Sequence, residues 1–368
     1  MLTLGAWLHN LSPFAWEISE GFGLRWYGLS YAAGFVVAYL LLRTLAGRGL
    51  IQIPKDRVAD AMTLLILGVI LGGRLGYCLV YEPALLISFS NSFPFWSFFA
   101  LNKGGMASHG GMVGVIIACA LIARGFRDER GVVAGRTSTL HVMDVMALCC
   151  TPGLFFGRVA NFVNGELLGK IVAMPGQSAP WWAVQFPQEM FSASMDKGGH
   201  RPPMSAEQAV ALQRLIDAHR GTAATDEQAF QRVVDLLQKG PAETSRRVAE
   251  QLAPLLSSRH PSQLYQALAE GLVLGMALLI VWRVPRAPGV IASWFLIIYG
   301  VLRVVTEFWR LPDAQLAVQR IGGLSRGQWL SVMMVIAGLA LLKFSLTRVK
   351  RLPGLLGGWG ASKSGATA

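Results

Sequence analysis

Apolar stretches long enough to cross the hydrocarbon of a bilayer, about 20 residues each, recur along this chain and restrict its fold more than any other feature. Seven are read, at about 27–45, 58–81, 107–123, 140–160, 263–282, 288–308 and 328–346. Glycine is frequent inside them, as in packed membrane helices. The composition agrees: 53% of residues are hydrophobic and 15% charged, whereas soluble domains run near a quarter charged. Mean hydropathy is +0.45. The expected fold class is all-α: a polytopic membrane protein of seven transmembrane helices.

Basic residues set the orientation. Arg43, Arg48, Lys55 and Arg57 follow the first span, and Arg124, Arg127, Arg130 and Arg136 the third. Arg283 and Arg286 follow the fifth, and Arg348, Lys350 and Arg351 the seventh. The short loops on the opposite side hold fewer: Lys103, then Arg310, Arg320 and Arg326. The positive-inside rule then puts the N-terminus outside and the C-terminus in the cytoplasm. Much of the net charge of +12 serves this topology, which removes the reason to invoke nucleic acid. No cleavable signal peptide is evident, since no basic region precedes an early apolar core. Cys78, Cys119, Cys149 and Cys150 all fall inside expected spans. They read as small buried packing residues, with neither a disulfide framework nor metal-ligand spacing.

The expected organisation is a first membrane part over 1–169, an extracytoplasmic segment over 170–259, a second membrane part over 260–346 and a cytoplasmic tail over 347–368. Within the outer segment, "GQSAPWWAVQFP" reads as compact loop or short strand. Short soluble helices follow. Ser205 with Gln208 and Thr225 with Gln228 fit capping boxes. Phe230, Val233, Val234 and Leu237 share one face, and Gly240–Pro241 stops that helix. The result is a small outer-face helical subdomain. The tail after Pro353, rich in Gly, Ser and Ala, reads as disordered. No internal repeat is visible, which weighs against an inverted-repeat transporter.

Ionisable residues inside spans are costly and are functional candidates by default. In the sixth span, counting from Tyr299, Arg303 falls at about 40°, Glu307 at about 80°, Arg310 at about 20° and Thr306 at about −20°. These five residues form a polar stripe on an apolar helix. It faces other protein or a cavity, and Arg303 with Glu307 can pair at i,i+4. In the second span Gly68, Gly72 and Gly76 permit close helix contact. Arg74 there is either an interface anchor or a wall of the same cavity. "KGGMASHGGMVGV" surrounds His109 with glycines of the kind that let backbone approach a ligand. "RHPSQLYQALAEG" opens the fifth span, with Glu270 inside its apolar run. "GRVANFVNGELLG" places Arg158, Asn161, Asn164 and Glu166 where the fourth span meets its far surface. Arginine suits a phosphate through two parallel hydrogen bonds. Arg158 and Arg303, from different spans, therefore describe a phospholipid headgroup site.

Those motifs resemble the prolipoprotein diacylglyceryl transferase family of bacterial inner membranes. The resemblance rests on "RWYGLSYAAGF", "LGGRLGY", "GGMASHGGMVGV", "GRVANFVNGELLG", "RHPSQLYQ" and "YGVLRVVTEFWRLPDAQ". It implies a seven-span bundle in the inner membrane, with its site toward the periplasm. The implied reaction moves the diacylglyceryl group of phosphatidylglycerol onto the lipobox cysteine thiol of a prolipoprotein. A thioether forms and glycerol phosphate leaves; no cofactor or metal is implied. Carried over by motif, the family-important positions are Tyr27, His109, Arg158, Asn161, Glu166, Gly169, Tyr299, Arg303 and Glu307, none of them substituted. Of these, His109, Arg158, Arg303, Tyr27 and Glu307 are the catalytic candidates. Arg158, Asn161, Glu166, Gly169, Arg303 and Tyr299 are the candidates for binding phosphatidylglycerol. The outer segment departs from the family's compact form by being longer.

Magnitudes rank the roles. A thiol of pKa near 8.5 is roughly a tenth ionised near neutral pH, so a base gains about tenfold. Fixed cations at a departing phosphate contribute roughly 10² to 10³ in rate per good donor. Arg158 and Arg303 should therefore outweigh His109. Asn161, Glu166 and Glu307 would orient them, and Tyr27 and Tyr299 would line the site. The main rival is a transporter or flippase for a phospholipid-like anion. A metal-dependent headgroup phosphotransferase lacks its aspartate cluster here.

Overall fold

The computed structural model describes residues 5–19, 22–91, 94–100, 104–191, 202–311, 320–321 and 324–348. The tail after Pro353 lies outside them. The protein is mostly helical, and five helices are long and apolar enough to cross a membrane: Trp26–Gly47, Lys55–Val80, Ser262–Trp282, Val290–Trp309 and Gly327–Arg348. They match the first, second, fifth, sixth and seventh expected spans. The expected fourth span is two helices, α4 (Thr139–Cys149) and α5 (Thr151–Asn164). Pro152 accounts for the break, since it has no N–H for the carbonyl four residues back. Counted as one, the pair is a sixth candidate. The expected third span is α3 (Ser108–Ala123), only 16 residues. At 1.5 Å per residue that is about 24 Å, short of a core about 30 Å thick.

The chain is not purely α. A small sheet is built from β1 (Trp7–Leu8), β2 (Ile171–Ala173), β3 (Val184–Gln185) and β4 (Ser258–Arg259), in the order β1-β3-β4-β2. Its strands come from segments far apart in sequence and are two or three residues long, too short to leave a periodic signal.

The chain divides into two compact units, Met1–Phe35 with Thr151–Gly275 and Ile297–Ile336, and Val36–Cys150 with Met276–Leu296 and Ala337–Ala368. The first holds the sheet and a three-helix cluster, α6 (Ala206–Ala218), α7 (Asp226–Lys239) and α8 (Ala242–Leu252). Phe230, Val233, Val234 and Leu237 of α7 are buried against Leu212, Leu215 and Ile216 of α6 and Val248 and Leu252 of α8. Ser205 makes a complete capping box with Gln208. At α7, Thr225 accepts from the Gln228 N–H, but the Gln228 side chain accepts from Ala224 N instead of the cap residue.

The second unit is organised by a glycine seam between α2 (Val58–Val80) and α3. A Cβ on Gly72 would stand 2.5 Å from the Gly110 carbonyl, and one on Gly68 2.7 Å from that of Gly114. Gly110 and Gly114 are thus used in helix contact rather than in approaching a ligand. Arg74 is an anchor: Nε donates to Phe98 O at 2.7 Å, Nη1 to Gly104 O and Gly105 O at 2.7 and 2.9 Å, and Nη2 to Ser97 O at 2.7 Å. Asp144, fully buried on α4, accepts from Gly289 N and Ala292 N, both at 2.7 Å. It thereby caps α11 (Val290–Thr306), satisfying backbone donors that a helix start leaves unpaired. Cys78, Cys119 and Cys149 are buried and free, but Cys150 is exposed. It falls at the helix break, so the expectation of a packing role fails there.

Candidate functional site: a chain of alternating charges

In the first unit, close helix approach puts opposite charges together. Fifth-span helix Ser262–Trp282 comprises α9 (Ser262–Gln266), a π-helical stretch (Ala267–Val273) and α10 (Leu274–Trp282). A Cβ on Gly271 would lie 2.5 Å from that of Phe155, and one on Gly275 3.0 Å from Thr151 Oγ1. Such spacing lets α5 pack tightly against this helix. Arg158, two turns along α5 from Thr151, then meets Glu270. Nε and Nη2 of Arg158 donate to Glu270 Oε2 at 3.0 and 2.9 Å. Glu270 Oε1 lies 3.9 Å from Nε of Arg303. Arg303 Nη1 donates to Glu307 Oε2 at 2.7 Å, and Arg310 Nη1 reaches the same oxygen at 3.4 Å. Ser325 Oγ donates to Glu307 Oε1 at 3.1 Å. Tyr299 completes the group by hydrogen bonding to Arg158.

Exposure decides what this chain can bind. Glu270 is sealed at 0% side-chain exposure and Glu307 at 6%, while Arg158 keeps 19% and Arg303 13%. The carboxylates are covered and the two arginine side chains are partly exposed.

The turn after α5 is built for one conformation. Gly165 and Leu167 have φ of 67° and 54°, and a leucine in the left-handed region is strained. Both oxygens of Glu166 are held: Asn161 Nδ2 donates to Oε2 at 3.0 Å and Asn164 Nδ2 to Oε1 at 3.2 Å. Gly169 stands where a Cβ would lie 2.1 Å from the His260 carbonyl, and it bridges to Arg310. Its absent side chain serves a backbone crossing. Behind it, Arg259 Nη1 donates to Gly169 O at 3.1 Å, and Nε to Glu189 Oε2 at 2.7 Å. Glu189 also accepts from Ser257 N at 2.7 Å. The Arg259–Glu189 pair is wholly buried.

Of the sequence candidates, Arg158, Tyr299, Arg303 and Glu307 form one connected group, and Asn161 with Glu166 forms a second at the end of α5. Tyr27 contacts Tyr31, ring centroids 5.3 Å apart, and the Tyr31 hydroxyl feels the charges of Arg158 and Glu166. His109 belongs to the other unit, exposed and with its ring 5.9 Å from Tyr81. Sequence reading gave no role to Glu270, Glu189 or Arg259. Glu270 carried the strongest available signal, a lone carboxylate in an apolar run. Among the described residues no cluster of His, Cys, Asp or Glu could hold a metal.

Apolar membrane helices carrying part-buried arginine–carboxylate links define a class: an integral membrane protein with paired charges among its helices. The comparisons narrow the class. A family model described as prolipoprotein diacylglyceryl transferase matches residues 13–344. A phosphatidylglycerol–prolipoprotein diacylglyceryl transferase of Bdellovibrio bacteriovorus is 41% identical over 344 residues, covering 91% of this chain and 93% of that one. Proteins of the same name from Geobacter sulfurreducens and Ruegeria pomeroyi are 34% and 35% identical, covering 86% and 90% of this chain and 89% and 94% of theirs. The chain belongs to the prolipoprotein diacylglyceryl transferase family.

Proposed function

We propose that this chain transfers the diacylglyceryl group from phosphatidylglycerol to the lipobox cysteine of prolipoproteins, the first step of bacterial lipoprotein maturation. Family membership supports the reaction. The observation that carries the site is the exposure contrast in the charge chain, with partly exposed arginines on sealed carboxylates. The cysteine sulfur attacks the glyceryl carbon bonded to the phosphate oxygen. A carbon–sulfur bond forms, the carbon–oxygen bond breaks, and glycerol phosphate leaves with the electron pair.

Arg158 and Arg303 hold the phosphate and take up the negative charge that grows on it. Such preorganised donors act most strongly where water is excluded. Glu270 and Glu307 fix the guanidinium planes, Tyr299 supports Arg158, and Tyr27 lines the same unit. Asn161 and Glu166 shape the turn beside Arg158. His109 contributes to handling the thiol proton, with the smaller share of the rate.

Seven crossings of the bacterial inner membrane are part of this reading, with the N-terminus outside, the C-terminus and 347–368 cytoplasmic, and the active site periplasmic. The segment 170–259 would then be extracytoplasmic. Basic residues after the first, third, fifth and seventh spans support the orientation. α3 would complete its crossing with the residues preceding it.

The test is mass spectrometry of a lipobox peptide incubated with phosphatidylglycerol and either wild type or Arg158→Ala. A diacylglyceryl mass on cysteine, lost in the variant, is expected. A folded, lipid-binding wild type that makes no adduct would overturn the reaction and leave lipid transport as the alternative.

A further inference from the structure

The helix that bears Glu270 carries a second polar side chain whose presence the charge chain does not explain. Gln266 is fully buried, and neither its amide oxygen nor its amide nitrogen is hydrogen-bonded by any described residue. A buried carboxamide with donor and acceptor both unpaired is strongly disfavoured, and such a group in a native fold calls for an explanation.

Its neighbours show where it stands. Glu270, one turn further on the same face, holds Arg158 and reaches toward Arg303. Gln263, one turn earlier, donates its amide to the backbone carbonyl of Glu166. Gln266 therefore sits between two residues already committed to the anion cluster and the turn after α5. The opposite face is apolar and exposed at Leu268 and Leu272, as lipid-facing positions require. The wide π-helical turn begins at the next residue, Ala267, and single π turns in helices concentrate at functional sites.

The chemistry of the amide selects a ligand. A carboxamide both donates and accepts, so it matches hydroxyl groups, which do the same. An ammonium headgroup could use only its oxygen. Phosphatidylglycerol carries two hydroxyls a few bonds from the phosphate that the arginines hold. Resting on the function proposed above, we infer that the headgroup displaces the side chains that cover Gln266, and that its amide then contacts the terminal glycerol of phosphatidylglycerol and sets the enzyme's preference for a hydroxylated headgroup.

The experiment uses the full-length protein in mixed micelles, a lipobox peptide, and two donors with identical acyl chains. One is phosphatidylglycerol; the other is phosphatidylpropanol, which lacks both terminal hydroxyls. Thioether formation gives kcat/KM for each. Wild type should prefer phosphatidylglycerol by about 10- to 100-fold, the range for leaving a buried amide unpaired. Gln266→Leu should lose that preference, falling with phosphatidylglycerol while changing less than about threefold with phosphatidylpropanol. Gln266→Glu, which keeps an acceptor at the same reach, should retain part of it. Should the leucine variant fail to fold, Gln266→Met reads the same ratio.

Equal losses with both donors would mean a structural role, including one satisfied by buried water, and would overturn the assignment. An active wild type that does not discriminate between the donors would overturn it while leaving the transferase reading intact. A wild type that transfers from neither donor would remove both.

Discussion

Arg74, buried, and Arg158, half-buried, sit in apolar helices of the two units and are satisfied in opposite ways. Arg74 gives all three nitrogens to four backbone carbonyls. Asp144, in the same unit, likewise gives both oxygens to backbone N–H groups. These charges are fully used in fixing loops and helix ends, and nothing of them faces a ligand. Arg158 instead leans on side chains, a sealed carboxylate oxygen of Glu270 and Tyr299, and keeps 19% exposure. A charge bound by backbone serves the fold, whereas one bound by a side-chain carboxylate can be held in place and still be reached. A charged residue in a span therefore has its role decided by its partner.

Substitutions test that contrast. The largest effect is expected at Arg158: its change to Gln should lower single-turnover transfer per folded molecule by about 10²- to 10³-fold, and it should also lower the unfolding temperature because Glu270 is left buried without its partner. Arg74→Gln should lower the unfolding temperature while activity per folded molecule stays near wild type. Were Arg74→Gln to stop transfer in a fully stable protein, the division of roles would be wrong. If His109→Gln abolished single-turnover transfer while Arg158→Gln left it nearly intact, the ranking of cation over base would go instead.

Next in size is Asp144→Ala, which leaves two buried helix-start N–H groups unpaired. A cost of about 3 kcal/mol is expected, read as a shift in detergent unfolding with turnover preserved in the folded fraction.

A pH effect of comparable or smaller size should come from His9. Its Nε2 donates to the Phe162 carbonyl at 2.8 Å, and burial lowers its pKa from 6.5 to about 4. The unfolded chain binds that proton below about 6.5 and the folded chain does not until about 4. Stability is therefore full above pH 6.5 and declines as pH falls toward 4, by up to about 3 kcal/mol. His9→Gln should flatten the decline between pH 6.5 and 5 in thermal unfolding; an unchanged slope would assign the loss to other groups.

The smallest effect concerns the glycine seam. Gly72→Ala forces a Cβ to within 2.5 Å of the Gly110 carbonyl, and overpacking of this kind costs about 1–3 kcal/mol. Activity per folded molecule should hold. A selective loss of turnover would instead tie the seam to the site.

Much of this was readable from residue spacing. The five long apolar helices follow from the length of continuous apolar stretches, and the face of α7, the glycine seam and the Arg303–Glu307 pair from periods of three, four and seven residues within one element. The misses share a cause. The four-stranded sheet, the Arg158–Glu270 contact, 112 residues apart, and the Glu189–Arg259 pair, 70 apart, join segments distant in sequence. The break at Cys150 was missed for another reason: it lies inside one continuous apolar stretch, and hydropathy does not register a Pro152 that stands in the first turn of a new helix.

By itself the sequence determined that this chain is a membrane protein, where its apolar helices run and to which family it belongs. Each of these depends on local hydrophobicity or on motifs contiguous in the chain. Only the tertiary structure decided which carboxylate holds which arginine, and so which buried charges stay reachable. That outcome depends on how close two helices can pack. At Gly271 and Gly275 the approach is set by the absence of a side chain, and its consequence falls on a residue of a different helix.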